Sequence, residues 1–133
     1  MDPAILETLR RKSPRARIAV VGASNNPEKY GNIIVRNLVR KGYTVLPVNP
    51  RETTIADLPV ARSLAQVERP VDIVVMVTPP PVTLAVLREA AELGFPAVWL
   101  QDGSFDDAVL AYVAKAPFKA VHHACVMVVS SGA

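Results

Sequence analysis

The sequence predicts an α/β fold in which parallel strands alternate with helices. Five short apolar runs recur along the chain, and their first residues lie 25, 29, 24 and 23 positions apart. The runs are continuously apolar rather than alternating, which is typical of parallel strands buried on both faces. The predicted strands are residues 18–23, 43–48, 72–77, 96–100 and 119–123.

The segments between these runs are predicted to be helices with recognisable ends. Residues 80–93 begin with prolines, which the first turn of a helix tolerates, and stop at Gly94. Ser104, with Asp107 three positions later, resembles a capping box and predicts a helix after the fourth strand. Residues 63–67 predict a short helical piece. A helix over residues 31–41 stops at Gly42, and its apolar face is predicted to contain Ile34, Val35, Leu38 and Val39.

These elements predict a Rossmann-like, three-layer α/β/α sandwich with about five parallel strands. Right-handed connections make the sheet doubly wound, and we predict the strand order 3-2-1-4-5. Residues 1–133 are expected to form a single domain, in which residues 1–17 are a short N-terminal helix, capped by Asp2, and a basic lead-in. Such sheets bind ligands at the carboxyl ends of their strands, near the point at which strand order reverses.

Charge argues against a nucleic-acid partner. Residues 1–17 hold five Lys/Arg and two Asp/Glu, so residues 18–133 carry ten of each and the body of the chain is neutral. With only seven aromatic residues in 133, no basic surface interleaved with aromatic side chains is expected.

The sequence also argues against membrane insertion and secretion. Its longest stretch without charge, residues 73–87, has 15 residues and three prolines, whereas a spanning helix needs about 20 apolar residues. No secretory signal is recognised near the start, so we expect a cytoplasmic protein. The single cysteine, Cys125, allows no internal disulfide, and we predict no metal site.

The first loop at the predicted carboxyl edge runs from Gly22 to Gly31. Gly22 permits a tight turn, and the backbone amides, the Ser24 hydroxyl and the following helix N-terminus suit a phosphate. The loop matches neither Gly-x-Gly-x-x-Gly nor a Walker A motif. The alternative is that Gly22 only turns the chain.

The second loop offers Asn49 and Arg51. Dinucleotide-binding folds usually place a carboxylate here, where it accepts the ribose hydroxyls. Asn49 removes that negative charge and Arg51 can pair with a phosphorylated ribose, which fits either NADP or coenzyme A. The alternative is an Asn-Pro turn beside a solvated Arg51.

The third loop, residues 77–81, contains three consecutive prolines. Prolines have no N–H group, so this stiff loop cannot cradle a phosphate. It can present an apolar wall with a few carbonyls, which suits a chain such as pantetheine. The alternative is a rigid start to the next helix with no ligand.

Taken together, the motifs resemble the small stand-alone CoA-binding proteins, which are similar to the N-terminal domain of the succinyl-CoA synthetase α subunit. The resemblance covers about residues 15–130. It rests on Gly-Ala-Ser at 22–24, Val-Asn-Pro at 48–50 and Trp-Leu-Gln at 99–101. Thr-Pro-Pro-Pro at 78–81 is more similar to the synthetase than to the small proteins.

The resemblance implies that coenzyme A, or an acyl-CoA, binds at the carboxyl edge. The phosphates would lie against the first loop, the adenosine 3′-phosphate end against the second and pantetheine against the third. The implied contacts are Gly22, Ala23, Ser24, Lys29, Tyr30 and Gly31 in the first loop, Asn49, Pro50 and Arg51 in the second, and Thr78, Pro79 and Pro80 in the third.

No catalytic residue is predicted. His122 and His123 would point to opposite faces of a strand, and no carboxylate lies near them in sequence. Family members commonly carry Asp-Arg-Cys followed by Glu-His here, whereas this chain has His-Ala-Cys followed by Val-Met. We interpret Cys125 as a small buried apolar residue, since its neighbours supply no charged group.

These observations favour a non-catalytic CoA-binding protein, a carrier or a sensor. One alternative is an NAD(P)-binding Rossmann enzyme, although five strands and their helices leave no residues for a substrate domain. The other is an interaction subunit of a larger acyl-CoA enzyme. A protein partner or a homo-oligomer is open, and no membrane or nucleic-acid partner is expected.

Overall fold

Helices cover both faces of a five-stranded parallel sheet in the computed structural model, which describes residues 1–132. The strands are β1 (Arg17–Val21), β2 (Thr44–Val48), β3 (Thr54–Ile55), β4 (Leu58–Pro59), β5 (Ile73–Met76), β6 (Ala97–Leu100) and β7 (Lys119–Val121). The helices are α1 (Pro3–Arg11), α2 (Tyr30–Arg40), α3 (Pro80–Leu93), α4 (Asp107–Val113) and α5 (Val126–Gly132), with a 3₁₀ turn at Leu64–Gln66. The Rossmann-like α/β prediction is confirmed.

The parallel sheet has the strand order β2-β1-β5-β6-β7. The predicted order 3-2-1-4-5 is therefore wrong, because the third predicted strand, β5, pairs with β1 and not with β2. The reversal of strand order consequently lies between β1 and β5. The loops that follow these two strands are then the expected walls of a ligand site.

The connection from β2 to β5 explains this order. Its apolar residues Leu64, Val67 and Val71 belong to the core on one face of the sheet, whereas α2 packs on the other face through Ile34 and Leu38. A right-handed crossover on the face opposite α2 carries the chain back across β1, so β5 joins the sheet on the far side.

The remaining predictions are mostly confirmed at the level of elements. All five predicted strands overlap observed ones, and Asp2 caps α1 by accepting hydrogen bonds from the amides of Ala4 and Ile5. Helix α3 has the predicted bounds. The antiparallel pair β3–β4 and helix α5 were not predicted.

Two details of the helices were predicted wrongly. Helix α4 is capped by Asp106, whose carboxylate accepts from the amide of Val109, while Ser104 is buried and its hydroxyl donates to the carbonyl of Gln101. On α2, Val39 was predicted to share the apolar face, but in the last turn of the helix it is 40% exposed, whereas Ile34, Val35 and Leu38 are buried.

Lys41 joins the end of α2 to α5. Its Nζ donates to the carbonyl of Met127 and to Oγ of Ser130, both at 2.7 Å. Burial lowers the pKa of Lys41, and the charge of nearby Lys12 adds to this effect. None of the helices within residues 1–132 has both the length and the apolar character that a membrane span requires.

Two adjacent isoleucines on α2 test the orientation of this helix. Ile34 is fully buried whereas Ile33 is 37% exposed. We expect Ile34→Ala to lower the free energy of unfolding by about 2–5 kcal/mol and Ile33→Ala by less than about 1 kcal/mol. Urea denaturation of both variants measures the difference, and equal losses would contradict the packing of α2.

Candidate functional site

Three adjacent cavities lie along the carboxyl edge of the sheet. The largest, which we call the main cleft, has a volume of about 620 Å³. The apolar pocket, of about 230 Å³, shares Gly22 and Thr78 with it. The side cavity, of about 130 Å³, shares Tyr30, Val77 and Asp102 with the main cleft. An elongated ligand can therefore occupy all three.

The main cleft brings together ten of the twelve residues that the sequence indicated. They are Gly22, Ala23, Ser24, Lys29, Tyr30, Gly31, Asn49, Thr78, Pro79 and Pro80. Pro50 lines the apolar pocket instead. Arg51 is exposed and lines none of the three cavities, so its contact with a ligand stays a prediction.

Sequence reasoning missed the part of the cleft formed by the loop after β6. Asp102, Gly103 and Ser104 line the main cleft, together with Glu28 from the first loop. The position of residues 102–104 after the fourth predicted strand was the available signal. That signal was weak, because Asp-Gly followed by Ser is also the composition of an ordinary turn.

The first loop is shaped by two glycines. Gly22 has φ +93°, and a Cβ there would lie 3.0 Å from Cγ2 of Thr78 and from the carbonyl oxygen of Val77. A Cβ on Gly31 would collide with the carbonyl oxygen of Gly22. The first turn of α2 therefore packs directly on the backbone of the loop, and only glycine permits that approach.

The backbone of this loop offers free hydrogen-bond donors. Within residues 1–132, the amides of Ala23, Ser24 and Asn25 donate to no acceptor. Helix α2 follows directly, and no side chain caps its N-terminus. Successive unpaired amides beside a helix N-terminus attract an anion, so the loop fits the diphosphate of a nucleotide.

Two asparagine side chains hold the carbonyl groups of the same loop. Nδ2 of Asn49 donates to the carbonyl of Ala23 at 2.8 Å, and Nδ2 of Asn32 donates to that of Ser24 at 2.9 Å. Oδ1 of Asn49 accepts from the amides of Arg51 and Glu52. The amide group of Asn49 thus connects the first two loops.

The third loop has few hydrogen-bond donors, as predicted. Helix α3 begins at Pro80 and its N-cap is Pro79, so no amide is available at either position. The hydroxyl of Thr78 is 2.7 Å from that of the fully buried Thr83 and hydrogen-bonds with it. The loop is therefore a stiff wall of the cleft.

Trp99 and Gln101 position the segment around Cys125. Trp99 donates from Nε1 to the carbonyl of Ala124 at 2.9 Å, and Oε1 of Gln101 accepts from the amide of Val126 at 2.8 Å. Cys125 is half-buried rather than buried, and it lines the side cavity. Cys125 therefore borders the space next to the main cleft.

The two histidines were predicted wrongly to point to opposite faces of a strand. Strand β7 ends at Val121, and His123 has φ +60°. The Nδ1 atoms of His122 and His123 lie 2.6 Å apart, and both rings pack against Phe105. Neither ring lines the three cavities. No group of three metal-ligating side chains occurs within residues 1–132.

Comparisons with known proteins give this geometry a context. The family model described as a CoA binding domain matches residues 16–131. Over 99 residues the chain is 31% identical to the uncharacterized protein YneT of Bacillus subtilis, covering 74% of this chain and 71% of that protein.

A solved structure and an enzyme subunit also match. A conserved hypothetical protein from Pyrococcus furiosus superposes with a TM-score of 0.81 at 44% identity, covering 84% of this chain and 97% of that one. The α subunit of an ADP-forming acetate–CoA ligase II from the same organism is 33% identical over 96 residues, which is 71% of this chain but 21% of the ligase subunit. The chain belongs to the CoA binding domain family.

Proposed function

We propose that this protein binds coenzyme A, or an acyl-CoA, along the carboxyl edge of its sheet and acts as a non-catalytic carrier or sensor. The observation that carries the proposal is the loop at 22–25. The amides of Ala23, Ser24 and Asn25 are unpaired, and Ala23 and Ser24 line the main cleft of this CoA binding domain family member. A diphosphate is the group that such a loop accepts.

The donor-rich and donor-poor loops orient the ligand. The diphosphate lies on the amides of Ala23, Ser24 and Asn25, next to the charge of Lys29. Pantetheine is an apolar chain with two amides. It runs toward the side cavity along Thr78 and along Pro79 and Pro80, which we call the proline wall. Asp102 lines both the main cleft and the side cavity, so its carboxylate lies on the side assigned to pantetheine.

The composition of the main cleft supports a binding role rather than catalysis. Among the residues that line it, the titratable groups are Glu28, Lys29, Tyr30 and Asp102. The histidine pair lies elsewhere, and neither carboxylate hydrogen-bonds to a hydroxyl or thiol within residues 1–132, so no base is paired with a nucleophile in the cleft. A role as a binding subunit beside a separate catalytic partner is the second candidate, and the match to a ligase α subunit favours it.

Thermal stability in the presence of ligands tests the assignment. At a concentration one hundred times its dissociation constant, coenzyme A is expected to add about 2.7 kcal/mol to the stability of the fold. NAD and NADP at the same concentration are expected to leave the melting temperature unchanged. A shift with NADP and none with coenzyme A would replace this proposal by an NADP-binding function.

Asn49→Asp tests whether the side chain of Asn49 supports the first loop, residues 22–31, which we call the phosphate loop. The substitution replaces the Nδ2 donor by an oxygen that faces the carbonyl of Ala23, so we expect about tenfold weaker CoA binding and a loss of about 1–3 kcal/mol in stability. Isothermal titration and thermal melting measure both. Asn26→Asp is the matched control, because it adds the same charge to the loop and keeps the hydrogen bond from the Glu28 amide.

Equal losses of CoA binding and stability in Asn49→Asp and Asn26→Asp would show that the added charge alone matters, and that Asn49 does not support the loop.

The direction of the ligand can be read from Cys125, the only cysteine in the chain. If pantetheine ends at the side cavity, saturating acetyl-CoA should slow the alkylation of Cys125 by iodoacetamide at least fivefold. Adenosine 3′-phosphate 5′-diphosphate, which lacks pantetheine, should leave the rate of alkylation unchanged. Mass spectrometry measures the rates, with Cys125→Ala as the unreactive control. Unchanged alkylation under acetyl-CoA would contradict the proposed direction.

A further inference from the structure

The apolar pocket is not used by the diphosphate or by pantetheine. Its volume is about 230 Å³, and its walls include Val48, Leu64, Val82 and Val86. A flat nucleobase with two apolar faces fits such walls, since most of its surface leaves water on binding. This inference rests on the proposed CoA binding and concerns the adenosine end of that ligand.

The place of the pocket in the sheet also favours adenosine. Nucleotides bound by folds of this kind place a ribose at the carboxyl end of the second strand, and the pocket includes Val48 and Pro50 from that end of β2. It also shares Gly22 with the main cleft. The phosphate loop therefore borders both cavities.

Arg62 is held at the rim of this pocket by its neighbour in sequence. The amide of Asn49 donates to the carbonyl of Ala61 at 3.0 Å, and the amide of Ala61 donates to that of Pro47 at 3.1 Å. Ala61 thereby forms a parallel bridge with Val48. Arg62 follows it at the end of β2 and lines the apolar pocket.

The charge of Arg62 is available to a ligand. Arg62 is exposed, and its guanidinium makes no hydrogen bond or ion pair within the part of the chain that the structure describes. Arg62 is also the cation among the pocket's lining residues. A guanidinium binds a phosphate through two parallel hydrogen bonds.

Glu89 restricts where a phosphate can sit. It lines the same pocket, and its Oε1 accepts a hydrogen bond from the amide of Ala65 at 3.0 Å. The carboxylate repels a phosphate but can accept from the exocyclic amine of adenine. The phosphate is thus favoured on the Arg62 side and the amine on the Glu89 side.

We propose that the apolar pocket holds the adenine of coenzyme A and that Arg62, rather than Arg51, contacts the 3′-phosphate. Arg51 follows Asn49 more closely in sequence, but it lines none of the three cavities. The bridge at Ala61 brings Arg62 to the site from further along the chain.

The test compares coenzyme A with 3′-dephospho-coenzyme A by isothermal titration. For Arg62→Ala we expect about tenfold weaker binding of coenzyme A and less than twofold weaker binding of the dephospho form. Arg51→Ala should keep the preference of the unmodified protein. Arg36→Ala, which removes an exposed arginine from the middle of α2, is the matched control. Circular dichroism and melting temperature confirm that the variants are folded.

The preference for coenzyme A over the dephospho form in each variant decides between the two arginines. Loss of the preference in Arg62→Ala alone supports the proposal, whereas loss in both Arg62→Ala and Arg51→Ala supports the contact with Arg62 and overturns the exclusion of Arg51. The contact is overturned if Arg62→Ala weakens both ligands equally, affects neither, or keeps a preference that Arg51→Ala loses. If the unmodified protein binds both ligands but does not prefer coenzyme A, only this inference fails. If it binds neither, the proposed function itself fails.

Discussion

The close approach of helix α2 to the loop after β1 is the constraint on which the candidate site depends. Gly31 packs against the carbonyl of Gly22 with no side chain between them. This contact places the uncapped helix N-terminus beside the unpaired amides of residues 23–25. A side chain at either glycine would separate the two donor groups, and the positive potential that they share would weaken.

Two asparagine side chains hold the loop that the glycines shape. Asn32 and Asn49 occupy the carbonyls of Ser24 and Ala23, so the loop is held by its acceptors while its donors remain free. Across the cleft, Pro79 and Pro80 offer no amide at all. The two sides of the cleft therefore differ in chemistry, and this difference gives a long ligand one preferred direction.

The segment between β2 and β5 serves both the fold and the site. Its later part, with Leu64, Val67 and Val71, packs on the face opposite α2 and determines on which side of β1 the third main strand lies, and so where the strand order reverses. The same segment bridges to β2 at Ala61 and presents Arg62 at the end of that strand. The topology and the proposed contact with the 3′-phosphate thus depend on one irregular stretch of chain.

The sequence by itself determined the five main strands, helices α1 to α4 and most of the loop after β1, because apolar runs, helix caps, glycines and prolines act through local backbone energetics. It predicted Gly22, Ser24 and the proline wall for that reason. Tertiary structure decided the strand order, the exposure of Val39, the contact between the two histidines and the position of Arg62 beside the apolar pocket. The strand order and the position of Arg62 depend on which face of the sheet a distant segment covers, and the histidines on where β7 ends and on their packing against Phe105. Local patterns carry no information about these contacts.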